Sequence, residues 1–239
     1  MDTITTEMQI MTSGQFAELL RLSSPALPIG GFSYSQGLES AVELGIVTTE
    51  DTAGQWIEET LHTVMTQCDA TLWALLFRAW REQDIDAVGK WNQWYYATRE
   101  TAEAREETTQ MAISLMQLVQ SLGWGSNTAR RLLNELDSPC FPAVHAYAVA
   151  ARDLPQAPGL MAFLYAWVEN QVTAAIKIIP LGQTAGQRLL SALIPQLDAA
   201  VDAAIQAADI ESPRILTLAP QYAIVAARHE SQFSRLFRS

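Results

Sequence analysis

Apolar residues recur every three or four positions along most of the 239-residue chain, which is the period of an amphipathic helix. The alternating pattern of a strand next to a hairpin turn is absent before the last 29 residues, 211–239. We therefore predict an all-α fold, a helical bundle of about nine or ten helices. The predicted helices cover residues 14–22, 33–44, 50–66, 69–82, 84–98, 101–122, 126–136, 141–151, 158–179 and 184–208.

Short Gly- and Pro-containing segments separate these helices, for example Gly45, the segment 123–125 and the segment 155–159. None of them is long enough to link two domains, and no internal repeat is visible. The sequence thus predicts one helical domain over residues 1–210, followed by a C-terminal tail over residues 211–239.

Composition narrows the class of protein. With 49% hydrophobic residues, the chain can form a stable core without a disulfide or a metal. Cys68 and Cys140 lack a second cysteine or a histidine at ligand spacing, which fits a reducing compartment and argues against a zinc site. The first residues carry Asp2 and Glu7 before any apolar run and lack the basic region followed by an apolar region of a secretory signal, so we expect no such signal. No span is long enough for a membrane helix. We expect a cytoplasmic protein.

Charge is distributed unevenly. The net charge of −11 repels phosphate backbones and argues against a nucleic-acid partner. The tail nevertheless has a balance of +2, from Arg214, Arg228, Arg235 and Arg238 against Glu211 and Glu230. A basic tail on an acidic body indicates either a segment that binds a partner or one that folds back onto its own body.

The segment from Ser24 to Glu39 joins a rigid loop to a helix. Its two prolines and the pair Gly30 and Gly31 fix a tight path, while Ser33 and Gln36 have the spacing of a capping box. On a helix that starts near Ser33, Glu39 should face outward.

A hydrolase that uses Ser33 or Glu39 is the enzyme alternative. The segment has no glycine at the position that a nucleophile elbow requires, and no carboxylate is evident to orient a histidine base. Nucleotide-binding fingerprints are absent as well. These patterns favour a protein without its own catalysis.

Two further segments stand out. Lys177 is one of only two lysines and closes the predicted helix 158–179, while the turn from Pro180 leads to Thr184 and Gln187, which are spaced as a second capping box. This corner leaves Gln183 without a structural role. In the tail, exposed aromatics beside arginines have the composition of an interface hot spot. Burying three apolar side chains returns less free energy than ordering the tail costs, so we expect the tail to become ordered on a partner.

Three separated motifs, residues 24–39, 177–184 and 228–239, resemble those of the urease accessory protein UreF family. Asp69-Ala70 and the run 99–107 are similar to the family more loosely, and Ala112 stands where the family pattern has glycine. The resemblance implies an all-helical homodimer. It also implies a complex with UreD (UreH) and the GTPase UreG that delivers nickel to apo-urease.

Under this resemblance the chain is a scaffold without a cofactor or catalytic residues of its own, and GTP belongs to UreG. A direct GTPase-activating role toward UreG is the alternative. The candidates for the UreG-facing surface are Glu39, Lys177, Tyr34, Ser35 and Gln183. The candidates for the UreD-binding tail are Arg228, His229, Glu230, Gln232, Phe233, Arg235, Leu236, Phe237 and Arg238.

Overall fold

Helices account for the architecture of this chain in a computed structural model, which describes residues 11–213, 215–217 and 219–239. They are α1 (Ser13–Leu22), α2 (Leu38–Glu43), α3 (Glu50–Thr60), α4 (Thr71–Glu82), α5 (Ile85–Thr98), α6 (Ala102–Leu122), α7 (Asn127–Asn134), α8 (Phe141–Ala151), α9 (Gln156–Ile178), α10 (Gln183–Ala208) and α11 (Pro220–His229). A single 3₁₀ turn, Gly31–Ser33, precedes α2. The all-α prediction is confirmed, since the described residues contain no strand.

Helix α8 forms the centre of the core. All its residues from Pro142 to Val149 are buried, because it packs between α4, α6 and α9. A helix that is apolar on every side requires such a position. Two indole N–H groups of α4 anchor it: Trp80 donates to the Ala143 carbonyl at 3.0 Å, and Trp73 donates to Nδ1 of His145 at 3.1 Å.

Helices α9 and α10 form the longest antiparallel pair. They approach closely because Gly186 has no side chain: a Cβ there would lie 2.3 Å from Cδ1 of Ile176. The same device joins α9 to α8, where a Cβ on Gly159 would lie 2.4 Å from Cγ1 of Val149. These contacts fix the position of α9, whose last turn carries Lys177.

A π-helical segment, Leu61–Ala70, connects α3 to α4 without a break. Two threonine hydroxyls show the five-residue spacing: Thr66 donates to the Leu61 carbonyl at 2.7 Å, and Thr71, the first residue of α4, donates to the Thr66 carbonyl at 2.9 Å. The predicted interruption after residue 66 is therefore wrong. With α3 and α4 joined, the described chain has ten continuous helices, as predicted.

The helix list from the sequence omitted α11, which starts with Pro220 at its first turn and lies against α2. Of the residues used above for charge and for the signal argument, Asp2, Glu7 and Arg214 lie outside the described residues. Across the described part of the chain, no helix has the length and apolar character needed to cross a membrane.

Candidate functional site

The loop before α2 follows a different path from the one the sequence predicts. Gln36 and Gly37 both adopt left-handed backbone angles, with φ of 51° and 83°, and α2 begins only at Leu38. The predicted capping box of Ser33 and Gln36 is therefore wrong. Gly37 is required here, because its φ suits glycine and an added Cβ would lie 3.3 Å from Cβ of Ala226 in α11.

The side chain of Gln36 turns inward instead of capping a helix. Its carbonyl oxygen accepts the indole N–H of Trp167, and its amide donates to Oε1 of Glu107. Nearby, Asn170 donates to the Tyr34 carbonyl at 2.9 Å. The loop is thus held to α6 and α9 by the Gln36 side chain and the Tyr34 carbonyl. Gln36, which the local pattern assigns to a helix cap, makes tertiary contacts instead.

Glu39 lies at the centre of the site and is buried, so the prediction that it faces outward is wrong. Its Oε1 accepts the backbone N–H of Leu236 at 2.7 Å, and its Oε2 accepts the N–H of Phe237 at 3.0 Å. The polar face of α2 is covered because residues 228–239, here called the C-terminal segment, fold over it. A helical wheel contains no information about such a distant segment.

His229 joins Glu39 to a second carboxylate. Its Nε2 lies 3.1 Å from Oε2 of Glu39, its Nδ1 lies 2.8 Å from Oε2 of Glu103, and the ring is fully buried. Each ring nitrogen of His229 therefore has a carboxylate oxygen as its hydrogen-bond partner. Arg235 adds a cation, with its guanidinium 2.5 Å from Oε1 of Glu103. The two carboxylates are thus linked through His229, and Glu103 also pairs with Arg235.

The last residues dock onto the loop by main-chain bonds. The Ser239 carbonyl oxygen accepts the N–H of Ser35 at 2.6 Å, the hydroxyl of Ser35 at 2.7 Å and the N–H of Gln36 at 3.1 Å. The N–H of Arg238 donates to the Ser33 carbonyl at 2.8 Å. Ser35, buried in the loop, therefore receives the C-terminal segment.

Glu230 attaches the start of the segment to α6. Its carboxylate accepts the N–H groups of Ala102 at 2.8 Å and Glu103 at 3.4 Å, which are free donors of the first helical turn. A negative charge at a helix N-terminus is also favoured by the helix dipole. The segment and α6 therefore stabilise each other.

Lys177 lies at the exposed edge of this arrangement. Its Nζ is 5.6 Å from the ring centroid of the buried Phe237, a cation–π distance. Gln183 is exposed as the first residue of α10, whose N-cap is Gly182 without a side-chain cap, so the predicted capping box of Thr184 and Gln187 is wrong. The burial of Tyr34 raises its pKa.

The structure thus divides the predicted residues into two groups. Buried members hold the site together: Tyr34, Ser35, Glu39, His229 and Phe237. Exposed members have side chains that face solvent: Lys177, Gln183, Arg228, Glu230, Phe233, Arg235, Leu236 and Arg238. Gln232 is half-buried, and its amide oxygen lies 3.3 Å from the Ser40 hydroxyl.

Sequence reasoning missed Glu103 and Glu107 as members of the site. They are four residues apart on one face of α6, and this spacing was the available signal. Burial raises the pKa of the Glu107 carboxyl to about 7, while Gln36 and Ser239 donate to it.

The described residues contain no cluster of three or more His, Cys, Asp or Glu side chains arranged to hold a metal ion. A neighbouring buried group consists of Asp69, Tyr95 and Arg99: the Tyr95 hydroxyl donates to Oδ1 of Asp69, and the Arg99 guanidinium lies 3.7 Å from the same oxygen. Burial raises the pKa of Tyr95.

Comparison with known proteins gives consistent results. A family model described as UreF matches residues 47–194. The urease accessory protein UreF of Bordetella parapertussis is 56% identical over 92% of this chain and all of its own length. The protein of the same name from Cupriavidus pinatubonensis is 49% identical over 94% of this chain and 98% of its own.

A fused relative is also similar to the chain. The bifunctional urease accessory protein UreEF of Bordetella bronchiseptica is 56% identical over 96% of this chain, which spans only 53% of that protein.

Proposed function

Because the chain belongs to the UreF family and thereby takes part in urease maturation, we propose that it acts there as a non-catalytic scaffold. In this proposal it binds UreD (UreH) and the GTPase UreG, and the assembly delivers nickel to apo-urease. The observation that carries the proposal is the docking of the C-terminal segment on Glu39, because it leaves Phe233 and Leu236 exposed and places Phe237 within 5.6 Å of the Lys177 ammonium group.

The C-terminal segment is the proposed UreD-binding element. Phe233 is fully exposed and Leu236 is 73% exposed, although both are large apolar residues. The same segment carries three exposed arginines, Arg228, Arg235 and Arg238. Aromatic residues and arginine dominate interface hot spots, which supports this assignment. Whether a partner is needed to order the segment stays a prediction.

Lys177 and Gln183 are the proposed UreG-facing residues because both side chains are exposed, and Nζ of Lys177 lies 5.6 Å from the Phe237 ring of the segment. The buried candidates Glu39, Tyr34 and Ser35 have a positioning role in this proposal. They hold the segment and the loop in place and need not touch a partner.

Co-purification with UreD and with UreG tests the scaffold directly. We expect the full chain to retain both proteins and a chain lacking residues 229–239 to lose UreD. A matched control replaces Phe16, an exposed residue of α1 that is 52% accessible, with Ala and should retain both. Failure of the full chain to bind either partner would contradict the proposal.

A direct GTPase-activating role is the second candidate, favoured by the exposed ammonium group of Lys177. Basic side chains that reach the phosphates accelerate GTP hydrolysis in such proteins. Adding the chain to UreG should then raise the rate of GTP hydrolysis, and Lys177→Ala should remove the increase. If the rate of GTP hydrolysis does not rise, the activating role is rejected and only the scaffold role remains.

The geometry offers little support for a hydrolase. His229 is in contact with Glu39, and both of its ring nitrogens face carboxylates, so neither is available as a general base. The Glu39 carboxylate already accepts from two main-chain N–H groups.

Homodimerisation belongs to the same proposal, and sedimentation of the full chain measures it. The name of the fused relative adds support for a maturation complex, because a single polypeptide there carries both UreE and UreF. We propose that a UreE protein works alongside this chain.

A further inference from the structure

A cavity of about 240 Å³ lies beneath the loop of residues 24–37. The π-helical segment, α6, α9 and the C-terminal part of the chain enclose it, and most of its wall is apolar, including Phe141, Phe163 and Trp167. A cavity of roughly 150 Å³ with apolar walls accommodates benzene. The space beneath the loop is therefore large enough for a small ring with one polar substituent.

The charged part of the wall is strongly acidic. The charged side chains that line the cavity are Asp69, Arg99, Glu100, Glu103, Glu107 and Glu169. Arg99 pairs with Asp69, and Glu103 pairs with Arg235 and His229. Glu100, Glu107 and Glu169 have no ion-pair partner among the described residues, so the cavity favours a positive charge.

Three residues of the wall each have one buried polar atom without a hydrogen-bond partner among the described residues. These atoms are Oδ2 of Asp69, Nε of Arg99 and Nε2 of His145. Glu107 is buried too, and its hydrogen bonds come from the neutral amide of Gln36 and the neutral hydroxyl of Ser239. Buried acceptors and uncompensated carboxylates cost free energy unless a donor or a cation meets them.

We propose that this cavity binds a small organic cation. An amidinium, guanidinium or ammonium head would lie against the acidic part of the wall and donate to Glu107, and an apolar ring or stem would lie against Phe141, Phe163 and Trp167. An organic cation suits the site better than a metal ion, because the described residues offer no three-ligand group and most of the wall is apolar.

A comparison of benzamidine with its neutral isostere benzamide separates the contribution of the charged head group to binding from that of the ring. Each is titrated into the full chain, and binding is followed by calorimetry and by the NMR signal of the Trp167 indole N–H, which lies at the cavity. We expect benzamidine to bind at least tenfold more tightly than benzamide. Glu107→Gln should reduce that ratio about tenfold, because it removes the charge and keeps the shape.

Two further variants keep the test decisive. Glu82→Gln removes an exposed carboxylate outside the cavity and should leave the ratio unchanged. Ala104→Leu keeps every carboxylate and fills part of the cavity, so it should weaken both ligands. Equal binding of the two ligands, no movement of the Trp167 signal, or the same loss of preference in Glu82→Gln would overturn the proposal.

Discussion

The core around α8 and the C-terminal segment are held by different forces. The core is apolar side chains in close contact, with Trp73, Leu160 and Leu164 fully buried. The segment rests on directed bonds to a few groups, above all the Glu39 carboxylate and the N–H and hydroxyl of Ser35, while Phe233 and Leu236 stay exposed. Apolar burial is spread over many contacts, whereas the attachment of the segment depends on single residues. The segment should therefore detach while the core remains folded.

The largest effect is expected in the core. Leu164→Ala leaves a cavity in the core and should lower the free energy of unfolding by about 2–5 kcal/mol. Urea denaturation followed by circular dichroism measures it. The control Leu20→Ala removes a side chain that is 54% exposed and should change stability by less than about 0.5 kcal/mol. Equal effects of the two changes would show that the burial seen here does not set stability.

A pH titration probes the interface between the two regions, where Glu107 lies. Its pKa is raised to about 7 by burial, so the folded state binds a proton that the unfolded state has lost. Its contribution to stability is present below the unfolded pKa of 4.5 and is lost as pH rises through about 7. Relative to the parent, Glu107→Gln should gain up to about 3 kcal/mol between pH 4.5 and pH 8.

His145 makes stability depend on pH in the opposite direction, and this contribution cancels when Glu107→Gln is compared with the parent. Burial lowers the pKa of His145 to about 3, so its contribution to stability is lost as pH falls from 6.5 toward 3. Both chains contain His145, and their difference isolates Glu107. A difference that does not change with pH would contradict a raised pKa for Glu107.

A smaller and local effect is expected at Glu39. Glu39→Gln removes the charge that faces His229 and offers only one oxygen to the N–H groups of Leu236 and Phe237. The cost should be about 1–3 kcal/mol, confined to the segment. Hydrogen exchange should quicken at residues 236 and 237 while α8 stays protected. Faster exchange throughout the chain would mean that the segment is part of the core.

The smallest change in stability is expected for Lys177→Ala, within about 0.5 kcal/mol, because the side chain is exposed and has one cation–π contact. Urease activation in a reconstituted assembly should nevertheless fall if the proposed UreG-facing role holds. Lys90→Ala, which also removes an exposed lysine near an aromatic ring, is the matched control. Full activation with Lys177→Ala would remove that role.

Helical periodicity predicted the core helices well because the spacing of apolar residues within each helix is enough to locate it. The predicted span 141–151 is the observed α8, and residues 184–208 differ from α10 by one position. The π-helical segment was not predictable in this way, since its five-residue spacing looks like an interruption of the usual period.

The site was less predictable because its contacts join residues far apart in sequence. Glu39 lies 197 positions from Leu236, and Gln36 lies 131 from Trp167. A spacing rule evaluates neighbours within a few turns, so it assigned Glu39 to solvent and Gln36 to a cap. The motifs did identify the correct segments of chain, but the structure was needed to show that they meet.

The π-helical segment between α3 and α4 also has a consequence for the chain's tolerance of insertions and deletions. Each residue of an α-helix turns the chain by about 100°. Deleting one residue within Leu61–Ala70 could restore the regular period locally, but it would rotate α4 against α3 by a comparable angle. Trp73 and Trp80 would then leave their partners in α8. This ten-residue stretch should therefore accept substitutions far more readily than any change of length.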